Sequence, residues 1–428
     1  KQNNKNSSVR RLNGLADPED QAEVNGFIHS FYRSLYAARP TVDASRLLDE
    51  LDIPHLPAPM VRRLDRPFSR AEFQRALFDQ MAGGKAPGND GLGTKVVREL
   101  WAILGDVIVG SLFEGLEAGR LSHSQRQSII KLLHKKGKDA ESLNGWRPIS
   151  LMNVDTKILA RALAERLKDP LKELLAPEQL AYQQGREMAE GNRLIDYMID
   201  YNEGRFGGFV VTIDFEKAFD SVSHPYLAKV LNEYGFPECI IRSVHTLYEG
   251  AESAVMNNGH KTREFPLGRS CRQGDPASPY LFILALDPLI RLINGDQSIS
   301  GLRTPYREVR ISAFADDLTL FLKDGASIRR LFQVLERFGE VSGLRINRAK
   351  TEILPLGDEV LGADLQGYCK DVIKVTGIYH SNRRGREECA RANAEGVLNK
   401  MQNMFNMWRS RDLTLLGRAE VAKTQGIS

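Results

Sequence analysis

The chain is predicted to fold as an α+β protein, on three observations. Helix-spaced apolar segments are interrupted at irregular intervals by short strand-like runs, with no internal repeat. Two of those runs, 309–314 and 318–322, meet at Phe314-Ala315-Asp316-Asp317, which reads as a hairpin with adjacent carboxylates at its tip. A third acid, Asp214, ends another strand-like run, Phe209-Val210-Val211-Thr212-Ile213.

Taken in order, residues 1–8 are polar and expected to be disordered. Residues 19–36 carry apolar side chains at helical spacing, and 54–59 are proline-punctuated. Ser69 with Glu72 three residues on predicts a capping box, followed by Phe73, Leu77 and Phe78 on one face. A glycine-rich loop at 83–93 leads into an apolar helix at 96–116. A strand at 129–133 runs into the basic turn 134–138, and 155–167 is helical in pattern. Beyond the Asp214 strand, helices are expected near 225–234, 237–249 and 277–293. After the acidic hairpin, 327–341 is amphipathic with Leu331, Leu335 and Phe338 inward. From Gly377 onward the pattern is helical and basic.

At 428 residues the chain has room for roughly two to four core-bearing units. With 42% hydrophobic and 27% charged residues it has an ordinary globular composition. A net charge of +4 is too small to demonstrate a polyanionic partner, but its distribution is uneven. Residues 120–169 hold eleven Lys/Arg against five Asp/Glu, and 383–423 nine against five, a pattern that suits a nucleic-acid groove or a solvated helix face. The four cysteines, Cys239, Cys271, Cys369 and Cys389, have neither disulfide-framework nor zinc spacing, so a reducing compartment is expected. No apolar run is long enough for a membrane span, and no signal peptide or lipidation motif is present. The sequence is expected to be a segment of a longer polypeptide.

The chemistry concentrates in a few residues. Two acids at a hairpin tip and one at a neighbouring strand end can hold two divalent cations, the arrangement an in-line nucleotidyl transfer needs. Asp214, Asp316 and Asp317 are therefore the candidate metal ligands, with the Phe215 carbonyl as an extra oxygen; each acid alone would be ordinary turn chemistry. Phe219 could pack beneath a nucleotide sugar and exclude a 2′-hydroxyl, or be a core aromatic. In Arg272-Gln273-Gly274-Asp275-Pro276, Gly274 permits close backbone approach and Gln273 can support a template base or nucleotide; the alternative is a proline-punctuated helix cap. Lys135, Lys136, Lys138 and Arg147 suit a triphosphate clamp. Lys350 is a candidate general acid toward the leaving pyrophosphate. The 83–91 segment lacks the spacing of a P-loop, and the eight histidines form no ligand pair.

The ordered series resembles the reverse transcriptases of non-LTR (LINE-type) retrotransposons. It comprises Lys85-Ala86-Pro87-Gly88-Asn89-Asp90-Gly91, Gly145-Trp146-Arg147-Pro148-Ile149-Ser150-Leu151, 214–220, 272–279, 314–317 and 343–351, then Leu413-Thr414-Leu415-Leu416-Gly417-Arg418. The resemblance implies a right-hand polymerase: an N-terminal extension at 1–70, fingers at 71–205, a palm with an antiparallel sheet at 206–375 and the start of a thumb at 376–428. It carries Asp214, Asp316 and Asp317 over as the metal triad, Phe219 as the sugar gate, and Lys135 and Arg147 as triphosphate contacts. Gln273 and Gly274 are placed near nucleotide and template. Two Mg²⁺ ions, with Mn²⁺ as substitute, an RNA template, a DNA primer or target and dNTPs are the implied cofactors and partners, with action in the nucleus after assembly on RNA in the cytoplasm. Oligomeric state is left open. The rival readings are a group II intron maturase-like reverse transcriptase and a non-catalytic, domesticated RNA-binding module.

Overall fold

In the computed structural model, residues 8–15, 17, 20–358, 361–409, 411 and 413–421 are described. The polar stretch 1–8 lies outside them but for Ser8, as do the last seven residues of the expected thumb. The chain divides into two compact units. The first comprises Lys1–Arg186, Phe215–Asp296 and Leu331–Asn347; the second comprises Glu187–Asp214, Gln297–Arg330 and Arg348–Ser428.

The first unit opens on the helix Gln21–Tyr36, whose Asp20 side chain caps it by accepting from the Ala22 N–H at 3.0 Å. Val24, Ile28, Tyr32 and Tyr36, each four residues apart, form its buried stripe. They join Ile130, Leu132, Trp146, Val255, Phe265 and Leu267 in one core. The strands beneath are Gln127–His134, antiparallel to Trp146–Met152 and parallel to Glu252–Asn257. The Glu252–Asn257 strand carries no clear alternation and is not legible in the sequence pattern. The capping box of Ser69 and Glu72 is present, with Ser69 N–H donating to Glu72 Oε2 at 2.9 Å.

Two expected helices differ in extent. The stretch 96–116 is two helices, Thr94–Glu99 and Trp101–Ala118, joined at Leu100, which leaves helical geometry with φ −92° and ψ 8°. The helix expected at 155–167 runs Val154–Leu174 through Pro170, because Pro170, Leu171 and Leu174 are all buried and packing outweighs the hydrogen bond that proline removes.

The second unit is built on a four-stranded antiparallel sheet in the order Glu352–Pro355, Phe209–Ile213, Asp317–Leu322, Ile311–Phe314. Phe209–Ile213 is central and buried except at Thr212, which accounts for a run that is apolar apart from that threonine. Val210, Phe321 and Leu354 from the sheet pack against Ile195, Met198 and Ile199 of the helix Met188–Asn202. Val309 does not belong to the hairpin strand as expected. It pairs instead with Leu302 in a separate ribbon, and the strand begins at Ile311. The expectation of continuous helix from Gly377 is also corrected. Ile378–Ser381 is a strand paired with Val372–Val375, and the helix begins at Arg386. Ile378-Tyr379 is a β-favouring pair just after Gly377, whose φ of 92° sharpens the turn. Thus the α+β class and the antiparallel sheet are both present. Among the described residues, no helix is long and apolar enough to cross a membrane.

Candidate active site

The acids are set by strand register in the second unit. Asp214 follows the Phe209–Ile213 strand directly, and Asp317 opens Asp317–Leu322. Leu318 faces Ile213 across the antiparallel pair, so one further step sets Asp317 opposite Asp214. On the other flank Thr212 faces Glu352, and two steps on, Lys350 comes opposite Asp214. The side chains agree with that extrapolation: Lys350 Nζ donates to Asp214 Oδ2 at 2.6 Å. Phe314 pairs directly with Asp317, leaving Ala315 and Asp316 as the whole turn. Ala315 adopts a φ of 54°, a left-handed backbone that costs an alanine about 1–2 kcal/mol and holds Asp316 at the tip.

The electrostatics show that the three carboxylates act on one another. Asp317 is open to solvent at its surface, yet the protein crowded around it weakens hydration of its charged form. That desolvation, with the Asp316 and Asp214 carboxylates, pushes its pKa up to about 6, while the Lys350 ammonium works in the opposite direction. Among the described residues, no group of three or more His, Cys, Asp or Glu side chains converges tightly enough to hold a metal ion unaided. The donor set nevertheless fits a hard divalent cation. It consists of carboxylate oxygens that repel one another, one already drawn to an ammonium, and such ions complete their shells with water and substrate phosphates.

The remaining sequence candidates lie in the first unit. Alternation along the paired strands puts Lys131, Lys135 and Arg147 on one face, since Arg147 stands opposite Leu133. Arg147 is exposed; Lys135 Nζ donates to the Asn144 carbonyl at 3.1 Å. Phe215 is buried and bridges to Ile346. Phe219 is half-buried and stacks on Phe282 with ring centres 4.3 Å apart. The Phe219 carbonyl accepts from the Cys271 N–H at 2.7 Å, tying its segment to the one that carries Gln273. Gly274 has a φ of 103°, and a Cβ there would lie 2.8 Å from the Ser150 carbonyl oxygen, so only glycine fits. Asp275 accepts from the Ala277 N–H at 2.8 Å in the turn before the helix Ser278–Gly295, which has no side-chain cap, and forms a buried ion pair with Arg272 at 3.2 Å. Of the helix-cap reading, the proline is present, Pro279 standing in the first turn of this helix, but no side chain caps its N-terminus. The 83–91 segment packs on the start of the Val154–Leu174 helix, with Gly88 hard against Asn153 and Met152.

Two residues without a role in the sequence reading emerge here. Asp220 is fully buried and accepts from Tyr36 Oη at 2.8 Å and from Gln273 Nε2 at 3.0 Å. Burial pushes its pKa up to about 6, against the lowering effect of Tyr36, Lys217, Gln273 and Lys135. The available signal was an acid set directly after Phe219 and before Ser221-Val222, where the apolar surroundings call for a partner. Tyr36, 184 residues away, gave no signal beyond its place on the buried stripe.

Comparison with known proteins identifies the family. The profile described as "Reverse transcriptase (RNA-dependent DNA polymerase)" matches residues 133–371. The transposon TX1 uncharacterized 149 kDa protein of Xenopus laevis is 33% identical over 78% of this chain and 25% of its own length. The Pol polyprotein of the type-2 retrotransposable element R2DM of Drosophila melanogaster is 28% identical over 68% of this chain and 27% of its own. The telomerase structure from Candida albicans is similar over 68% of this chain and 49% of that one, at 13% identity and a TM-score of 0.44. The chain belongs to the reverse transcriptase family, in its non-LTR retrotransposon branch. It spans about a quarter of the length of the first two relatives. Membership brings with it a general dependence on divalent metal.

Proposed function

We propose that this chain is an RNA-directed DNA polymerase that extends a primer 3′-hydroxyl with dNTPs by two-metal nucleotidyl transfer, in target-primed reverse transcription. The observation that carries the reading is the register that sets Asp214 between Asp317 and Lys350, with Asp316 held at the adjoining turn. Asp214, Asp316 and Asp317, with the Phe215 carbonyl that follows Asp214 in the chain, would hold two Mg²⁺, or Mn²⁺ in their place. The bound ions supply the positive charge that polarises the attacking hydroxyl and neutralises the leaving group. Lys350 holds a proton on Nζ, at Asp214, where it can pass to the departing pyrophosphate. Lys135 and Arg147, on one basic face, hold the triphosphate. The Phe219 ring, braced by Phe282, excludes a 2′-hydroxyl. Gln273 and Gly274 meet nucleotide and template.

In this reading residues 1–70 form an N-terminal extension, 71–205 fingers, 206–375 palm and 376–428 the start of a thumb. The partners are an RNA template and a DNA primer at a chromosomal target, which places the work in the nucleus. Primer extension on an RNA template with Mg²⁺ tests the proposal. DNA synthesis with dNTPs, absent with NTPs and abolished by Asp316→Asn, supports it. Extension unaffected by Asp316→Asn overturns it.

A further inference from the structure

Gln273 is a flexible amide whose two ends have opposite hydrogen-bonding character, so its use at a nucleotide site depends on which end is presented. Its Nε2 donates to Asp220 Oδ2, and the other oxygen of that carboxylate accepts from Tyr36 Oη. A carboxylate accepts and does not donate, so it selects the amino end of Gln273 and leaves Oε1 directed away from it. Tyr36 is itself fixed. Its ring stacks between Tyr32 and Phe265, at centroid distances of 6.2 and 6.1 Å, and its carbonyl accepts from the Gly268 N–H at 2.9 Å. Asp220 is held from its own backbone side as well, its N–H donating to the Lys217 carbonyl at 2.8 Å. The orientation of Gln273 is thus set by a carboxylate without solvent contact and a tyrosine from the N-terminal helix.

We propose that Asp220, braced by Tyr36, is a positioning residue that locks the Gln273 amide with its oxygen toward a hydrogen-bond donor on the incoming nucleotide; this rests on the function proposed above. The N-terminal helix then contributes to nucleotide selection through Tyr36, by way of Asp220 and Gln273. The lock depends on the charge of Asp220, because a protonated carboxyl could donate to Oε1 and allow the amide to turn over. The groups facing Asp220 are Tyr32 and Tyr36 from the N-terminal helix, Lys217 from its own segment, Lys135 from the basic turn, and Arg269, Cys271 and Gln273 from the segment before the Ser278–Gly295 helix. Burial dominates, and the carboxyl titrates near 6.

Two measurements on the whole chain decide the matter. The first is steady-state dNTP incorporation on an RNA template for wild type, Tyr36→Phe and Asp220→Asn. The proposal expects KM for dNTP to rise about tenfold with kcat within about twofold, as loss of a charge-assisted bond to a positioning group would give. In wild type KM should rise below a pH of about 6, and in Asp220→Asn that inflection should be absent. A KM unchanged in both variants, or a fall in kcat alone, overturns the proposal. The second reads the lock without turnover. In protein labelled with ¹⁵N-glutamine, the Gln273 side-chain amide resonance, assigned by its loss in Gln273→Glu, should titrate with Asp220 and shift in Tyr36→Phe. A resonance indifferent to pH and to both substitutions overturns the lock even where the polymerase works. Wild-type protein that extends no primer while the resonance titrates instead overturns the proposed function and leaves the network intact.

Discussion

Replacing Asp317 by Asn should stabilise the metal-free protein at neutral pH while disabling its acid site. Asp317 titrates near 6 in the folded chain, against 3.8 for an unperturbed Asp, so folding moves its pKa up by roughly two units. At 1.36 kcal/mol per unit, that is about 3 kcal/mol of charge held against its preference, were the group fully enclosed. Its carboxylate is solvent-exposed, and screening reduces the figure to about 1 kcal/mol, or a rise in Tm on the order of 1–3 °C. The sign follows from linkage. A carboxyl with a raised folded-state pKa contributes stability that is complete below 3.8 and lost as pH rises through about 6. The advantage of Asn over Asp should therefore be present at pH 7.5 and absent at pH 3.5. Thermal melts in EDTA at both pH values test this. Mg²⁺ should then raise the Tm of wild type and leave Asp317→Asn little changed. Asn lowering Tm at pH 7.5, or raising it equally at both pH values, would refute the electrostatic reasoning and point to packing.

In the proposed role of Phe219 as sugar gate, Phe219→Val should raise ribonucleotide incorporation relative to dNTPs by about tenfold or more, read by competitive primer extension. Gly274→Ala places a methyl 2.8 Å from the Ser150 carbonyl at a φ of 103°, so about 2 kcal/mol of stability should be lost, measured by urea unfolding. Asp275→Ala removes the carboxylate partner of the buried Arg272 guanidinium and the acceptor of the Ala277 N–H before the following helix. A loss of about 3–5 kcal/mol is expected by the same assay, whereas a change below about 1 kcal/mol would show the ion pair to be dispensable.

How far the sequence could be read depended on whether the physics was local. The Phe209–Ile213 strand emerged with its bounds intact because a central strand is nearly all apolar and β-favouring, and the Ser69–Glu72 box because a cap needs only residues three apart. The acidic hairpin was visible as two carboxylates between apolar runs, but its first strand was drawn too long. Val309 is as apolar as Ile311, and only its pairing with Leu302 separates them. The Ile378–Ser381 strand was hidden because four residues beside a long basic helix do not make a period. Within the candidate site, the side chains along adjacent register positions were legible, and the Tyr36–Asp220–Gln273 network was not. Its members are 184 and 53 positions apart, and their association is a product of tertiary packing.

Most direct for the account is Mn²⁺ binding, followed by electron paramagnetic resonance with primer–template and a non-hydrolysable dNTP analogue. The wild-type chain should bind two Mn²⁺, and Asp316→Asn should lose both from the tight-binding range while retaining its affinity for primer–template. Equal Mn²⁺ binding by wild type and Asp316→Asn would contradict the assignment of Asp214, Asp316 and Asp317 as the metal ligands.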